Sequence, residues 1–248
     1  MTDPILEVCC GDIDSVLAAA EGGAARVELC CGLAEGGFTP SAALIEAAVQ
    51  CGIKVNVLIR PRGGDFLYSR LEKDMMLRDA GFAAEAGANG IVCGALLSDG
   101  SVDTAFCREL AQCCSATELT FHRAFDLCAD PLKALDAIAD LGFSRILTSG
   151  LAPSALEGAP MLARLSDYAG GRIRILAGGG VNPGNAARIL SLGKADELHA
   201  SARAAIASDM EYRRAGVSMG VPGADEYSRL STSAEIVRQI VNAMKSTI

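Results

Sequence analysis

No apolar run in this chain approaches the roughly 20 residues of a membrane-spanning helix, so no membrane span is expected. There is no block of Lys and Arg either. The 22 basic residues are scattered and outnumbered by 30 acidic ones, for a formal net charge of −8. Nucleic acid and anionic membrane both need concentrated positive charge, and neither is expected as a partner. Residues 1–10 show no basic start and no signal-peptide core, and they reach a strand-like segment at once. The ten cysteines fall as neighbours Cys9-Cys10, Cys30-Cys31 and Cys113-Cys114 plus singles, which without an export signal reads as reduced thiols in the cytoplasm. No linker or shift in composition divides the 248 residues, so one domain over 1–248 is expected. No Gly-x-Gly-x-x-Gly follows the first strand, where Cys9-Cys10-Gly11-Asp12 stands instead, and this disfavours an open dinucleotide-binding sheet.

What is present is a repeated unit: an Ala/Leu-rich helix, a glycine, a few residues, then a β-branched strand. Gly22, Gly52, Gly87, Gly142 and Gly193 are read as helix stops with positive φ. The expected strands are 5–8, 26–29, 54–59, 90–93, 118–121, 145–148, 172–176 and 197–200, with helices of period near four between them. Eight strands alternating with helices in about 250 residues predict a closed (β/α)8 TIM barrel. The exception is a connection of about 204–231 before a last helix at 234–245. A stretch of that length is usually functional or interfacial. Met219-Gly220 and Pro222-Gly223 suggest that it packs on the barrel mouth or on a second subunit.

In such a barrel the chemistry sits at the C-terminal ends of the strands. Strand alternation puts Glu7 with Cys9, Glu28 with Cys30, Asn56 with Arg60, Thr120 with His122, and His199 with Ser201 on common faces. Glu7, Glu28, Arg60, His122, Arg123, Asp126 and His199 are the candidate catalytic groups. Glu28 and Arg60, on neighbouring strands, have a second reading as a buried ion pair that fixes register. His122 and His199, the two histidines of the chain, have one as hydrogen-bonded core residues. Gly178, Gly179 and Gly180, followed by Asn182-Pro183 as a helix start, offer backbone N–H groups to an anion. Ser149, Ser201, Arg60, Arg62 and Arg203 would join that anion site. Cys9 and Cys30 can face each other across adjacent strands, with His122 approaching from across the barrel, as soft-metal ligands. No Cys-x-x-Cys, His-x-x-x-His or Met-x-x-Met supports them.

The segments Leu6-Glu7-Val8-Cys9-Cys10, Arg26-Val27-Glu28-Leu29-Cys30, Gly36-Gly37-Phe38-Thr39-Pro40-Ser41, Arg60-Pro61-Arg62-Gly63-Gly64-Asp65-Phe66, Phe121-His122-Arg123-Ala124-Phe125-Asp126, Leu147-Thr148-Ser149-Gly150 and Gly178-Gly179-Gly180-Val181-Asn182 resemble the CutC family of copper homeostasis proteins. The resemblance runs from about residue 5 to 203 and continues more loosely through Met219-Gly220 and Glu226-Tyr227. It implies a cytoplasmic TIM barrel that assembles as a homodimer or higher oligomer. It also implies a link to copper tolerance, with Cu(I) held by cysteines, and Cys9 and Cys30 are the positions it carries over. Two functions therefore stand side by side. One is Cu(I) binding, from the resemblance; the other is a barrel enzyme for a small anionic or phosphorylated substrate, from the residues.

Overall fold

The computed structural model describes residues 4–217, 219 and 225–246. Eight parallel strands close into a barrel in sequence order: β1 Ile5–Cys10, β2 Arg26–Leu29, β3 Lys54–Leu58, β4 Gly90–Cys93, β5 Glu118–Phe121, β6 Arg145–Thr148, β7 Arg174–Gly178 and β8 Glu197–Ala200. The helices are α1 Ile13–Gly22, α2 Ala42–Val49, α3 Arg70–Glu85, α4 Thr104–Cys113, α5 Pro131–Asp140, α6 Ala159–Ala169, α7 Ala186–Gly193 and α8 Ala234–Lys245. Strand side chains alternate as the pleat requires. Val8, Val27, Val55, Val57, Ile91, Phe121, Ile146, Ile175 and Leu198 face outward into the main core beneath the helices. The TIM-barrel expectation is met.

Several boundaries differ for physical reasons. Strand β1 runs two residues further, to Cys10, and β7 begins at Arg174 after a turn in which the Arg172 amide bonds the Ala169 carbonyl. Helix α7 does not open at Asn182-Pro183. The Asn182 side chain accepts the Gly184 amide at 2.9 Å, closing a local turn that delays the helix to Ala186. Gly52, Gly87 and Gly142 take the positive φ expected of them, but Gly22 and Gly193 are the last helical residues, and Gly23 and Lys194 make the left-handed caps. Gly22 and Gly193 serve close packing instead. A Cβ on Gly22 would lie 2.5 Å from Val237 of α8, and one on Gly193 would lie 3.2 Å from Leu162 of α6.

The long connection is not irregular throughout. It contains an antiparallel ribbon, β9 Arg203–Ala207 with β10 Ser228–Thr232. The root of the ribbon sits on α1 at the strand-exit end of the barrel. There the Ser15 hydroxyl lies 3.1 Å from that of Ser231, and Arg229 pairs with Asp12 and Asp14. Gly220, Pro222 and Gly223 lie outside the described residues.

The barrel interior is the unusual feature. Such interiors are dominated by branched apolar side chains, yet here Glu7, Arg26, Glu197 and Arg145 are all buried. Arg26 bonds Glu7 at 2.5 Å and also bonds Glu197. Arg145 reaches Glu118 and lies 3.2 Å from Glu197, with Arg174 closing the outer side at 3.6 Å from Glu197. Asn56 adds a hydrogen bond to Glu7. This ionic floor fills the end opposite the loops that follow the strands. Breaking a buried pair on one side leaves a bare charge, which costs about 3–5 kcal/mol. Arg26→Met should lower unfolding free energy in urea by that amount, and a loss below about 1 kcal/mol would show that the floor is not structural.

Candidate functional site

At the C-terminal ends of the strands a cavity of about 490 Å3 opens, lined on one wall by Cys9, Glu28 and His199 and on another by Arg60, Phe66 and His122. Closure of the barrel makes β8, β1 and β2 consecutive, with Glu7 opposite His199 and Cys9 opposite Glu28 in register. The Cys9 thiol donates to Glu28 at 3.2 Å and its Sγ lies 3.5 Å from that of Cys30. The His199 ring meets Glu7 through Nδ1 at 2.8 Å and Glu28 through Nε2 at 3.8 Å.

These contacts set the charges. Burial opposes ionisation of Glu7, but Arg26 and His199 outweigh it and hold the carboxyl at about 2. Burial raises Glu28 above the usual carboxylate range, and the neighbouring Glu7 adds to this against the His199 charge. Burial works against a charged His199, yet Glu28, Cys9 and Glu7 overcome it, so the ring keeps its proton well above its ordinary range. The hydrogen bond with Cys30, then burial, then Glu28 push the Cys9 thiol well up. Cys9 is a thiol, not a free thiolate.

The other wall is built differently. Arg60 is buried and donates to the carbonyls of Glu35, Gly37 and Gly64, with its guanidinium over the rings of Phe38 and Phe66. The Glu28–Arg60 pair weighed from the sequence does not form. The loop after β2 folds over Arg60 and captures its N–H groups, while Glu28 turns to Cys9 and His199. No carboxylate pairs with Arg60 among the described residues, and its Nε has no partner. His122 accepts the Ala124 amide on Nδ1 at 3.2 Å, so its proton sits on Nε2, which is buried and without a partner. Burial, then the Arg60 charge, lower this ring to about 3. The fit is tight: a Cβ on Gly94 would lie 2.7 Å from Nδ1.

The remaining candidates divide. Arg123 lines the cavity but bonds Asp126 and Ser149. Asp126 accepts from Thr148, Ser149 and Leu151, so its carboxylate clamps the turn after β6. The Ser149 hydroxyl is buried in the same clamp, donating to Ala152 at 2.6 Å. Arg62 does not line the cavity; Glu72, Asp65 and the Leu67 carbonyl take up its guanidinium. Gly178 ends β7 against Leu147 and His199. Gly179, Gly180, Ser201 and Arg203 line the mouth. The Gly179 and Gly180 amides have no protein acceptor among the described residues.

Two groups of residues departed from expectation. The histidine beside the thiols is His199, not His122, because β8 adjoins β1 while β5 lies across the barrel. Cys9, Glu28 and His199 each present a donor atom within 4.8 Å of the others, so this is where a metal can be held. The ionic floor was missed because Arg26, Arg145 and Glu197 open their strands, where charge reads as a boundary. Cys10, Cys31, Cys113 and Cys114 stay away from the mouth: Cys10 sits in the outer core, and Cys31 and Cys113 bond backbone carbonyls.

Fold and site together define a (β/α)8 barrel whose polar residues converge where the strands end. The CutC family model matches residues 4–204. A CutC family protein of Chromobacterium violaceum is 51% identical over 98% of both chains. A human relative named copper homeostasis protein cutC homolog is 45% identical over 98% of this chain and 90% of its own. The crystal structure of a CutC protein from Streptococcus agalactiae superposes with a TM-score of 0.77 at 35% identity, covering 80% of this chain and 98% of that one. The chain belongs to the CutC family. More distant barrels, such as an aldolase at 19% identity and a TM-score of 0.60, share the fold alone.

With only two histidines in the chain, 15N NMR separates their rings. His122 should remain neutral and protonated on Nε2 from about pH 8 down to about pH 5, and a midpoint near its ordinary value would refute the assignment. The unfolded ring takes up a proton near about 6.5, whereas the folded ring resists until about 3. The unfolded state therefore binds more protons in that window. Stability from this ring falls as pH drops below about 6.5, by up to about 1.4 kcal/mol per unit. His122→Gln should flatten that slope between about pH 5 and 6.5.

Proposed function

We propose that the mouth is an enzyme active site for a small anionic substrate, a phosphate ester or a carboxylate. The observation that carries this reading is the buried Arg60 guanidinium, without a carboxylate partner among the described residues, beside the Nε2–H of a neutral His122 that is likewise unpartnered among them. A buried cation and a fixed neutral donor in one wall suit an oxygen on which negative charge develops. A neutral histidine donates a hydrogen bond there without giving up its proton, the pattern in which two groups of one type are driven to opposite states. The amides of Gly179 and Gly180, with Ser201 and Arg203, provide a second place for negative oxygens at the rim. Across the cavity Glu28, with its raised carboxyl range, and the charged His199 are the groups able to exchange protons with a bound molecule.

Inorganic phosphate titrated calorimetrically into chelator-treated protein tests the reading. Each charge-assisted bond contributes about 1.5–3 kcal/mol, so Arg60→Gln should weaken binding about tenfold or more. Arg203→Gln, which leaves the loop over Arg60 intact, should weaken it as well. Cys9→Ser should change little, since a thiol offers an anion almost nothing. Absence of phosphate binding to the unsubstituted protein sinks the proposal.

A second reading is favoured by one specific observation, the 3.5 Å approach of the buried Cys9 and Cys30 sulfurs with the His199 ring alongside. Two thiols and an imidazole suit Cu(I), and the human and mouse relatives are named copper homeostasis proteins. Under this reading copper is cargo, and both thiols give up protons to take it. In an anaerobic Cu(I) titration against a competing chelator, Cys9→Ser and Cys30→Ser would then each lower affinity and Arg60→Gln would not. We also read the chain as cytoplasmic, its ten cysteines all free. A homodimer or higher oligomer is supported by exposed apolar side chains, Ile206 and Leu230 on the ribbon and Met210 and Tyr212 in the connection beyond β9. Ultracentrifugation of Ile206→Ser/Leu230→Ser should show dissociation; an unchanged mass would remove the ribbon from the interface.

A further inference from the structure

We propose that Cys9, Glu28 and His199 form a zinc-type divalent metal site with one coordination position open to the mouth cavity. The argument begins with topology. The three ligands come from three consecutive strands, β1, β2 and β8, so rigid sheet rather than mobile loop sets their spacing. Cys9 Sγ lies 3.2 Å from Glu28 Oε2, His199 Nε2 lies 3.8 Å from the same oxygen, and all three donor atoms fall within 4.8 Å of one another. Zinc bonds of about 2.0–2.3 Å in a tetrahedron place neighbouring donors about 3.3–3.6 Å apart. Small side-chain rotations close the difference.

The surroundings have the form of a metal site too. His199 Nδ1 is fixed on Glu7 at 2.8 Å, which leaves Nε2 for the ion, and Glu7 is itself held by Arg26 and Asn56. A carboxylate behind a ligating histidine orients the ring and raises its basicity. One sulfur, one nitrogen and one oxygen together suit a borderline ion, whereas Mg2+ and Ca2+ take oxygen alone and Cu(I) prefers sulfur and nitrogen. Charge balances as well. A divalent ion displaces one proton from Cys9 and one from His199 to solvent, leaving M2+ against one thiolate and one carboxylate. Three protein ligands with a fourth position facing a cavity is the pattern of a catalytic rather than a structural zinc site. A water in that position would be acidified and stand in the same cavity as Arg60 and His122. That last role rests on the anionic-substrate reading above; the binding of the ion does not.

The test is an anaerobic Co2+ titration of reduced, chelator-stripped protein without phosphate, read by absorption. A thiolate-to-cobalt charge-transfer band should appear and saturate at one equivalent. Cys9→Ser and Cys9→Ala should abolish it, and Glu28→Gln or His199→Gln should weaken Co2+ binding about tenfold or more. Glu7→Gln, a positioning change, should lower affinity about 10–100-fold while leaving the band where it is. Cys30→Ser should leave both band and affinity unchanged, which separates this site from the two-thiol copper reading. In parallel, Zn2+ should raise the melting temperature of the unsubstituted chain and not that of either Cys9 variant. No band in the unsubstituted chain, a band that survives loss of Cys9, or a band lost with Cys30 would each overturn the proposal. Phosphate binding is measured on metal-free protein, so failure of the metal site and failure of the anion site are told apart.

Discussion

Glu7 is the constraint on which the rest of the interior depends. Its carboxylate is fully buried, and burial alone would neutralise it. It stays charged because Arg26 approaches from the floor and His199 from the mouth. One side chain thereby joins two layers that otherwise have nothing in common: the ionic floor of Arg26, Glu197 and Arg145, and the wall of Cys9, Glu28 and His199. Buried ion pairs are weak as a source of stability, because desolvation offsets most of the attraction. Their stronger effect here is on register. A slip of one residue in β1 would turn Glu7 into the apolar outer core and leave Arg26 with Glu197 as its one remaining carboxylate.

The same low-dielectric interior drives the two histidines apart. His199 has two carboxylates within 4 Å and keeps its proton; His122 has a guanidinium and two aromatic rings for neighbours and loses it. Neither state comes from the histidine itself. It comes from which strand ends lie beside it in a closed barrel, and this makes the two walls of the cavity chemically unlike. One is acidic and holds exchangeable protons. The other carries a guanidinium and an imidazole N–H, both hydrogen-bond donors.

Much of this was legible in the chain. Alternation along each strand placed Glu7, Cys9, Glu28, Arg60, His122 and His199 toward the interior at the exit ends, because inward-facing apolar residues give way to polar ones there. Pairings were less legible. Glu28 and Arg60 are neighbours by strand order, yet the reach of Arg60 is decided by carbonyls on the loop after β2, whose path depends on positive φ at Gly36 and Gly37. That His199 and not His122 meets the thiols follows only from barrel closure, a global fact that no local pattern carries. The ribbon escaped notice because its strands are short, small in side chain and largely exposed, so they lack the alternation a buried face imposes.

The two unlike walls bear on how the proposed metal site and the proposed anion site share one cavity. Metal ligands and anion donors need opposite fields: a cation is stabilised by Glu7 and Glu28, an anion by Arg60 and the glycine amides. A barrel separates such fields without a long structure, because strands on opposite sides of the closed sheet project across a single mouth. An ion on the first wall would neutralise the charge of Glu28 and make the cavity more attractive to an anion on the second. Binding of the two would then be cooperative, and by linkage the anion would strengthen the metal by the same factor. A metal affinity measured in phosphate buffer would therefore report the pair rather than the thiol, the carboxylate and the imidazole alone.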